Sequence, residues 1–152
     1  MAVNAVNGID EIRALAGKDL GKSAWMEVTQ ERVNQFADAT GDHQWIHVDP
    51  ERAAAGPFGA TIAHGYLTLS LATELILEAV HIVGVTMGIN YGLNKVRFPA
   101  PVPVGSKLRA SVTLAAADEV ADGVQVALAT TFEIEGGTKP VCVAEILFRY
   151  YS

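Results

Sequence analysis

Cysteine is almost missing from this chain. The single thiol, Cys142, sits between Val141 and Val143 in an apolar run, so neither a disulfide framework nor a four-thiolate metal site can be built. The flanks predict a small core side chain. Charge is also scarce, at 18% of residues where soluble domains carry about 25%. Basic residues are the scarcer sign, 11 against 17 acidic ones, and the net charge of −6 is opposite to what backbone-driven DNA or RNA binding needs. No apolar run approaches the roughly 20 residues that span a bilayer. Residues 1–22 lack a basic start followed by an apolar block, so no membrane partner and a cytoplasmic location are expected. A phosphate-binding glycine fingerprint is absent as well, because Gly84, Gly88 and Gly92 recur inside a strand pattern and not between a strand and a helix.

What is present is apolar. Half of the 152 residues are hydrophobic, enough for one domain with a sizeable core, preceded by an N-terminal extension over residues 1–20. So few charges leave surface that another subunit would cover.

The patterning is α+β. A short strand over 22–28 precedes Thr29, which reads as the N-cap of a helix carrying Val33, Phe36 and Ala37 at helical spacing, and Gly41 ends that helix. Residues 41–64 are broken by Gly41, Pro50, Gly56, Pro57 and Gly59, with room for one short helix capped by Asp49. Long irregular stretches in small domains tend to be functional. A largely buried helix is predicted over 65–81, with Ser70, Glu74, Glu78 and His81 as its polar stripe. Four strands follow, over 85–98, 107–116, 124–134 and 141–151, read as an antiparallel meander wrapping that helix.

Two stretches carry chemistry. In Thr40-Gly41-Asp42-His43-Gln44-Trp45-Ile46-His47, a carboxylate and an imidazole lie five residues apart beside two large apolar side chains. Such a pair can hold a water for acid–base work, or Asp42 can cap a turn while His47 is an internally bonded core histidine; the spacing is compatible with both. His43 and His47 stand at metal-ligand spacing, but Gly41 and Pro50 bracket them in a loop and Gln44 stands where a zinc-protease motif has glutamate, so no metal is expected. In Thr61-Ile62-Ala63-His64-Gly65-Tyr66-Leu67, a loop enters a helix at Gly65, where unpaired N–H groups would stabilise an oxygen gaining negative charge. Glycines within 88–92 suggest close approach of a ligand or backbone, and Lys95, Arg97, Lys107 and Arg109 form the one basic cluster, read as solvated strand ends or phosphate contacts.

Taken together, Gly41-Asp42 followed by His47, Ile62-Ala63-His64-Gly65 opening an apolar helix, and Val96-Arg97-Phe98-Pro99-Ala100-Pro101-Val102-Pro103-Val104-Gly105 resemble the MaoC-like, (R)-specific enoyl-CoA hydratase family. The resemblance covers roughly residues 20–150. It implies the hotdog fold, a long antiparallel sheet around a central helix, in a homodimer. It also implies Asp42 and His47 as the catalytic pair and the Gly65 N–H as oxyanion donor. Thr73 stands where the family has a serine near the substrate, and Ala63, His64, Tyr91, Gly92 and Arg97 are the further substrate contacts expected. The substrate would be an acyl-CoA thioester, or one on acyl carrier protein, which the net charge disfavours; coenzyme A is part of the substrate, and no separate cofactor is implied. Thioesterase activity and a non-catalytic acyl-thioester-binding subunit are the rival readings. One departure stands out: Gln44-Trp45 occupies the place of the family's Asn-Pro.

Overall fold

In a computed structural model that describes residues 4–152, the capping signals in the first half act as their chemistry dictates, whereas the strand expected over 22–28 is split between two short strands with a break over 23–25. Residues 1–3, the start of the expected N-terminal extension, lie outside the described residues. Strand β1 (Asn4–Asn7), helix α1 (Gly8–Ala14), strand β2 (Asp19–Lys22) and the two-residue β3 (Met26–Glu27) come first, with Val6, Ile12 and Leu20 buried in the common core. Helix α2 (Gln30–Thr40) starts where Thr29 accepts a hydrogen bond from the Arg32 N–H and stops at Gly41, whose φ of 84° is one a side chain would disfavour. The loop that follows holds two short helices where one was expected, α3 (Trp45–Val48) and α4 (Pro50–Ala54). Asp49 caps the second and Pro50 takes its first turn.

The expected long helix differs at both its middle and its end. It runs as α5 (Gly65–Ser70) and α6 (Ala72–Ala79), joined by Leu71 in a right-handed conformation. The Leu71 N–H still reaches the Leu67 carbonyl (3.0 Å) and Leu75 reaches Leu71 (3.1 Å), so the two segments continue one another. The loosened turn coincides with the Ser70 hydroxyl bonding back to the Tyr66 carbonyl at 2.6 Å, a contact that competes with the helical ladder. The helix expected to reach His81 ends at Ala79, because Val80 and His81 join Ile82 and Val83 in one extended run. They form β4 (Val80–Val83), which pairs in parallel with β1, so His81 lies on a strand and not on the helix stripe. Nor is the helix buried nearly all round: Tyr66 and Leu77 are exposed.

The four later strands are β5 (Met87–Arg97), β6 (Lys107–Val120), β7 (Gly123–Ile134) and β8 (Cys142–Tyr151). Strands β6, β7 and β8 make the expected meander. β5 does not join β6; the sheet order is β2-β6-β7-β8-β5, with β3 also paired to β6, and all pairs are antiparallel. Pro99, Pro101 and Pro103 keep the 98–106 segment from turning tightly, so it crosses the end of the fold instead. Its passage is fixed by the Ala63 N–H donating to the Val102 carbonyl (2.8 Å) and the Val104 N–H to the Thr61 carbonyl (2.9 Å).

The inner face of the sheet alternates cleanly, with Leu108, Ala110, Val112 and Leu114 on β6, Val124, Val126, Leu128 and Phe132 on β7, and Cys142, Ala144, Ile146 and Phe148 on β8. Ala72, Leu75, Ile76 and Ala79 of α6 pack into it, which is the layered antiparallel sheet and helix of an α+β hotdog fold. Leu75 is completely buried. Leu75→Ala should therefore lower stability by about 2–5 kcal/mol in urea denaturation, and a loss within error of zero would place this helix outside the core. Cys142 is free and fully buried, and burial pushes its thiol up to about 11. It should resist an aromatic disulfide reagent in the native state and react stoichiometrically once unfolded; rapid labelling of native protein would contradict its placement.

Candidate active site

The site is assembled where the loop after α2 meets the entry to α5. Gly41 turns the chain, with its N–H on the Ala37 carbonyl at 2.8 Å, and Asp42 follows with its side chain exposed. An Asp42 carboxylate oxygen accepts the Gln44 N–H at 3.3 Å, which sets the turn into α3. His47, on α3, is 6% exposed and its Nδ1 lies 2.7 Å from the Ile62 carbonyl. A carbonyl can only accept, so Nδ1 carries the proton and Nε2 is left as a bare acceptor in the neutral ring. The turn-capping aspartate and the internally bonded histidine are thus both real, and those same bonds orient the two groups.

Gln30, which opens α2, ties the two halves of the loop together. Its Nε2 donates to the His47 carbonyl (2.8 Å) and its Oε1 accepts the Thr61 hydroxyl (2.6 Å). Nothing in the sequence marks this glutamine as a clamp, because these two partners are 17 and 31 residues away. The Ile62 N–H meets the Ile46 carbonyl at 3.0 Å and completes the clamp.

Gly65 is the first residue of α5, so its N–H has no acceptor inside the helix. A Cβ there would lie 3.3 Å from the Phe98 ring, which shows how closely this backbone sits beneath the aromatic. Phe36, Thr40, Asp42, His47, His64, Gly65, Tyr66 and Phe98 line one cleft of about 590 Å³. An adjoining apolar cavity of about 290 Å³ shares His47, Gly65 and Phe98 and adds Ala63, Phe58, Ile62, Val102 and Val141. The aromatic walls at Phe36, Phe58 and Tyr66 carry no local sequence signal.

The other expected contacts fall elsewhere. Thr73, Tyr91 and Gly92 line a separate groove between α6 and β5, together with Ser70, Asn90 and Phe148. Arg97 is exposed near the end of β5, donates to the carbonyl of its neighbour Val96 (2.7 Å), and lines neither the cleft nor that groove. Arg109 is engaged with Glu133 and lies 4.1 Å over the Trp25 ring. Gln44-Trp45 has a local explanation. Trp45 occupies the first position of α3, the one helical position a proline also suits, and its ring lies against Gly56, where a Cβ would come within 3.1 Å of it. The Arg52 guanidinium lies over the ring, 4.4 Å from its centroid. Packing thus restrains the loop where a proline ring would have done so.

His43 does not converge with His47. It points to Asp38 (2.9 Å), whose hydrogen bond raises the pKa of this exposed imidazole. Donor atoms of Asp42, His47 and His64 do lie within 4.8 Å of one another, a span a metal would accept. However, His47 Nδ1 and His64 Nε2 already face carbonyl oxygens, and His64 Nδ1 is buried. The carboxylate and His47 Nε2 remain open to a shared water, and His64 Nδ1 has no hydrogen-bond partner among the described residues.

Comparison with known proteins bears on the same residues. Residues 11–135 match the family described as MaoC like domain. The chain is 58% identical over 145 residues to the 3-hydroxyacyl-thioester dehydratase Z of Mycobacterium tuberculosis, covering 95% of this chain and 96% of that protein. Among solved structures, an (R)-hydratase from A. caviae involved in PHA biosynthesis is similar with a TM-score of 0.71 at 26% identity, covering 88% of this chain and 94% of the other. A monoamine oxidase regulatory protein from Archaeoglobus is similar over 100% of this chain and 99% of its own, with a TM-score of 0.79 at 25% identity.

Proposed function

Because the chain belongs to the MaoC like domain family, we propose that it is a hydro-lyase that reversibly adds water to trans-2-enoyl thioesters, with Asp42 and His47 as the catalytic pair. The observation that carries this reading is the convergence of the Asp42 carboxylate, His47 and the Gly65 backbone in one cleft beside Phe98. The thioester carbonyl oxygen rests at the Gly65 N–H, where a donor with no helical partner polarises it and makes C3 electrophilic. Asp42 and His47 Nε2 hold one water over C3. As its oxygen bonds to C3, one of the pair takes its proton, negative charge builds on the thioester oxygen, and a proton is returned to C2. The product is a 3-hydroxyacyl thioester, and the reverse path eliminates water. By similarity to the (R)-hydratase, the hydroxyl is (3R). The apolar cavity lined by Phe58 and Val141 suits the acyl chain.

The edge strand β5 exposes Met87, Ile89, Tyr91 and Leu93, each 44–53% accessible, and among the described residues it pairs only with β8. Pairing of two such edges in a homodimer would cover these side chains.

Purified protein given crotonyl-CoA should form (3R)-3-hydroxybutyryl-CoA without liberating thiol, and should leave saturated butyryl-CoA intact. Thiol release from butyryl-CoA would make it a thioesterase. Saturable binding without turnover of any enoyl thioester would make it a binding subunit, and either result overturns the proposal.

A further inference from the structure

His64 has two features that a substrate contact does not explain. The residue is 3% exposed, and its ring lies against His47 with centroids 3.9 Å apart and planes 24° from parallel. Phe36 closes the ring at 4.9 Å and a tilt of 57°. His64 Nε2 meets the main-chain carbonyl of Asp42 at 3.0 Å, so this nitrogen carries the proton and donates, while Nδ1 is buried with no partner among the described residues. The one imidazole therefore touches both members of the pair, each by a different contact. A hydrogen bond fixes the backbone from which the Asp42 carboxylate springs, and a stacked face fixes the plane of the His47 ring.

The stretch that carries His64 is itself immobilised. Ile62 accepts from His47 through its carbonyl and donates to Ile46, Ala63 donates to Val102, and Gly65 begins α5. Asp42, by contrast, is exposed on a glycine turn, and the hydrogen bonds of its own loop are long: 3.4 Å from its N–H to the Thr40 hydroxyl and 3.3 Å from Gln44 to its carboxylate. Without a tether from the rigid side, such a carboxylate would sample many positions, and acid–base catalysis requires it within hydrogen-bond reach of one water.

We propose that His64 is a positioning residue for the catalytic pair, its Nε2–H pinning the Asp42 backbone while its ring sets the plane of His47. This rests on the hydratase reading above. It adds that four consecutive residues act as a ruler: Ile62 orients His47, His64 aligns both members, and Gly65 offers the oxyanion donor at a fixed distance from them.

The test separates the donor from the ring. His64→Gln places an amide N–H where Nε2 stands, His64→Asn offers the same chemistry one bond too short, and His64→Phe keeps a ring without a donor. With crotonyl-CoA, His64→Asn and His64→Phe should each lose about tenfold to a hundredfold in kcat, with KM within about threefold of wild type. His64→Gln should recover a substantial part of the rate lost by His64→Asn. The Asp42 and His43 amides should exchange with solvent faster in His64→Asn and His64→Phe than in His64→Gln. If His64→Phe does not fold, the Asn and Gln pair carries the comparison. Wild-type kcat in His64→Asn, equal rates for the Asn and Gln variants, or an effect confined to KM would each overturn the proposal. Should wild type itself not hydrate enoyl thioesters, the hydratase reading fails alone, and the exchange rates still decide whether His64 pins Asp42.

Discussion

Asp42→Asn is expected to lower kcat for crotonyl-CoA hydration by about a hundredfold or more while the thermal midpoint stays near that of wild type. The two halves of this expectation have different origins. The side chain is exposed and its one structural duty is to accept the Gln44 N–H, which an amide oxygen does equally well, so the turn survives. The main-chain carbonyl that meets His64 is untouched by the substitution. What disappears is a group able to take and return a proton at the cleft. An Asp42→Asn enzyme with wild-type turnover would leave His47 as the lone acid–base group and would remove Asp42 from the pair.

The second large effect concerns a backbone atom. Gly65→Pro is expected to reduce kcat by about a hundredfold to a thousandfold, the range for losing one preorganised oxyanion donor. Proline is an unusually clean probe at this position. It is tolerated at the first residue of a helix, where the N–H has no helical partner, and His64 already has φ −59° and ψ 138°, the extended conformation that a residue before proline prefers. The fold should therefore accept the substitution apart from crowding against Phe98. Gly65→Ala controls for that crowding, because its Cβ meets the same ring at 3.3 Å while its N–H is retained. The account requires Gly65→Pro to be far slower than Gly65→Ala. Similar rates in the two variants would show that the loss comes from displacing Phe98 and not from the missing donor.

The sequence was most legible where physics is local. Thr29 as a cap, Gly41 as a left-handed stop, and Asp49-Pro50 as a helix start each depend on neighbours within four residues, and each stands in the structure as read. β6, β7 and β8 were equally legible as β-prone runs between turn signals, and one face of each packs on the helix. Two readings failed for want of non-local information. The helix was expected to run to His81, but Val80 and His81 belong to a strand that pairs with β1, far away in the sequence. The place of β5 next to β8 depends on the proline-rich crossing after it, which pattern alone does not direct.

The candidate site divides in the same way. Asp42, His47 and Gly65 were singled out by residue type and by resemblance, and they line one cleft. Thr73, Tyr91 and Gly92 line another groove, and Arg97 lines neither, because strand ends and helix faces give no hint of which cavity they border. Gln30 was invisible as a clamp, because its partners in the loop, His47 and Thr61, become neighbours only when the loop closes. His64 was visible only as part of a motif. Its contacts with Asp42 and His47 come from a fold that brings residues 22 and 17 positions apart against one ring.

The central claim is that Asp42 and His47 act as one unit on one water. Its most direct test is the kcat of the Asp42→Asn/His47→Gln double variant set beside the two single variants. If the pair shares a water, removing either member already abolishes the step, and the double variant should be about as slow as the slower single one. Losses that multiply would contradict the account and assign the two residues to independent tasks.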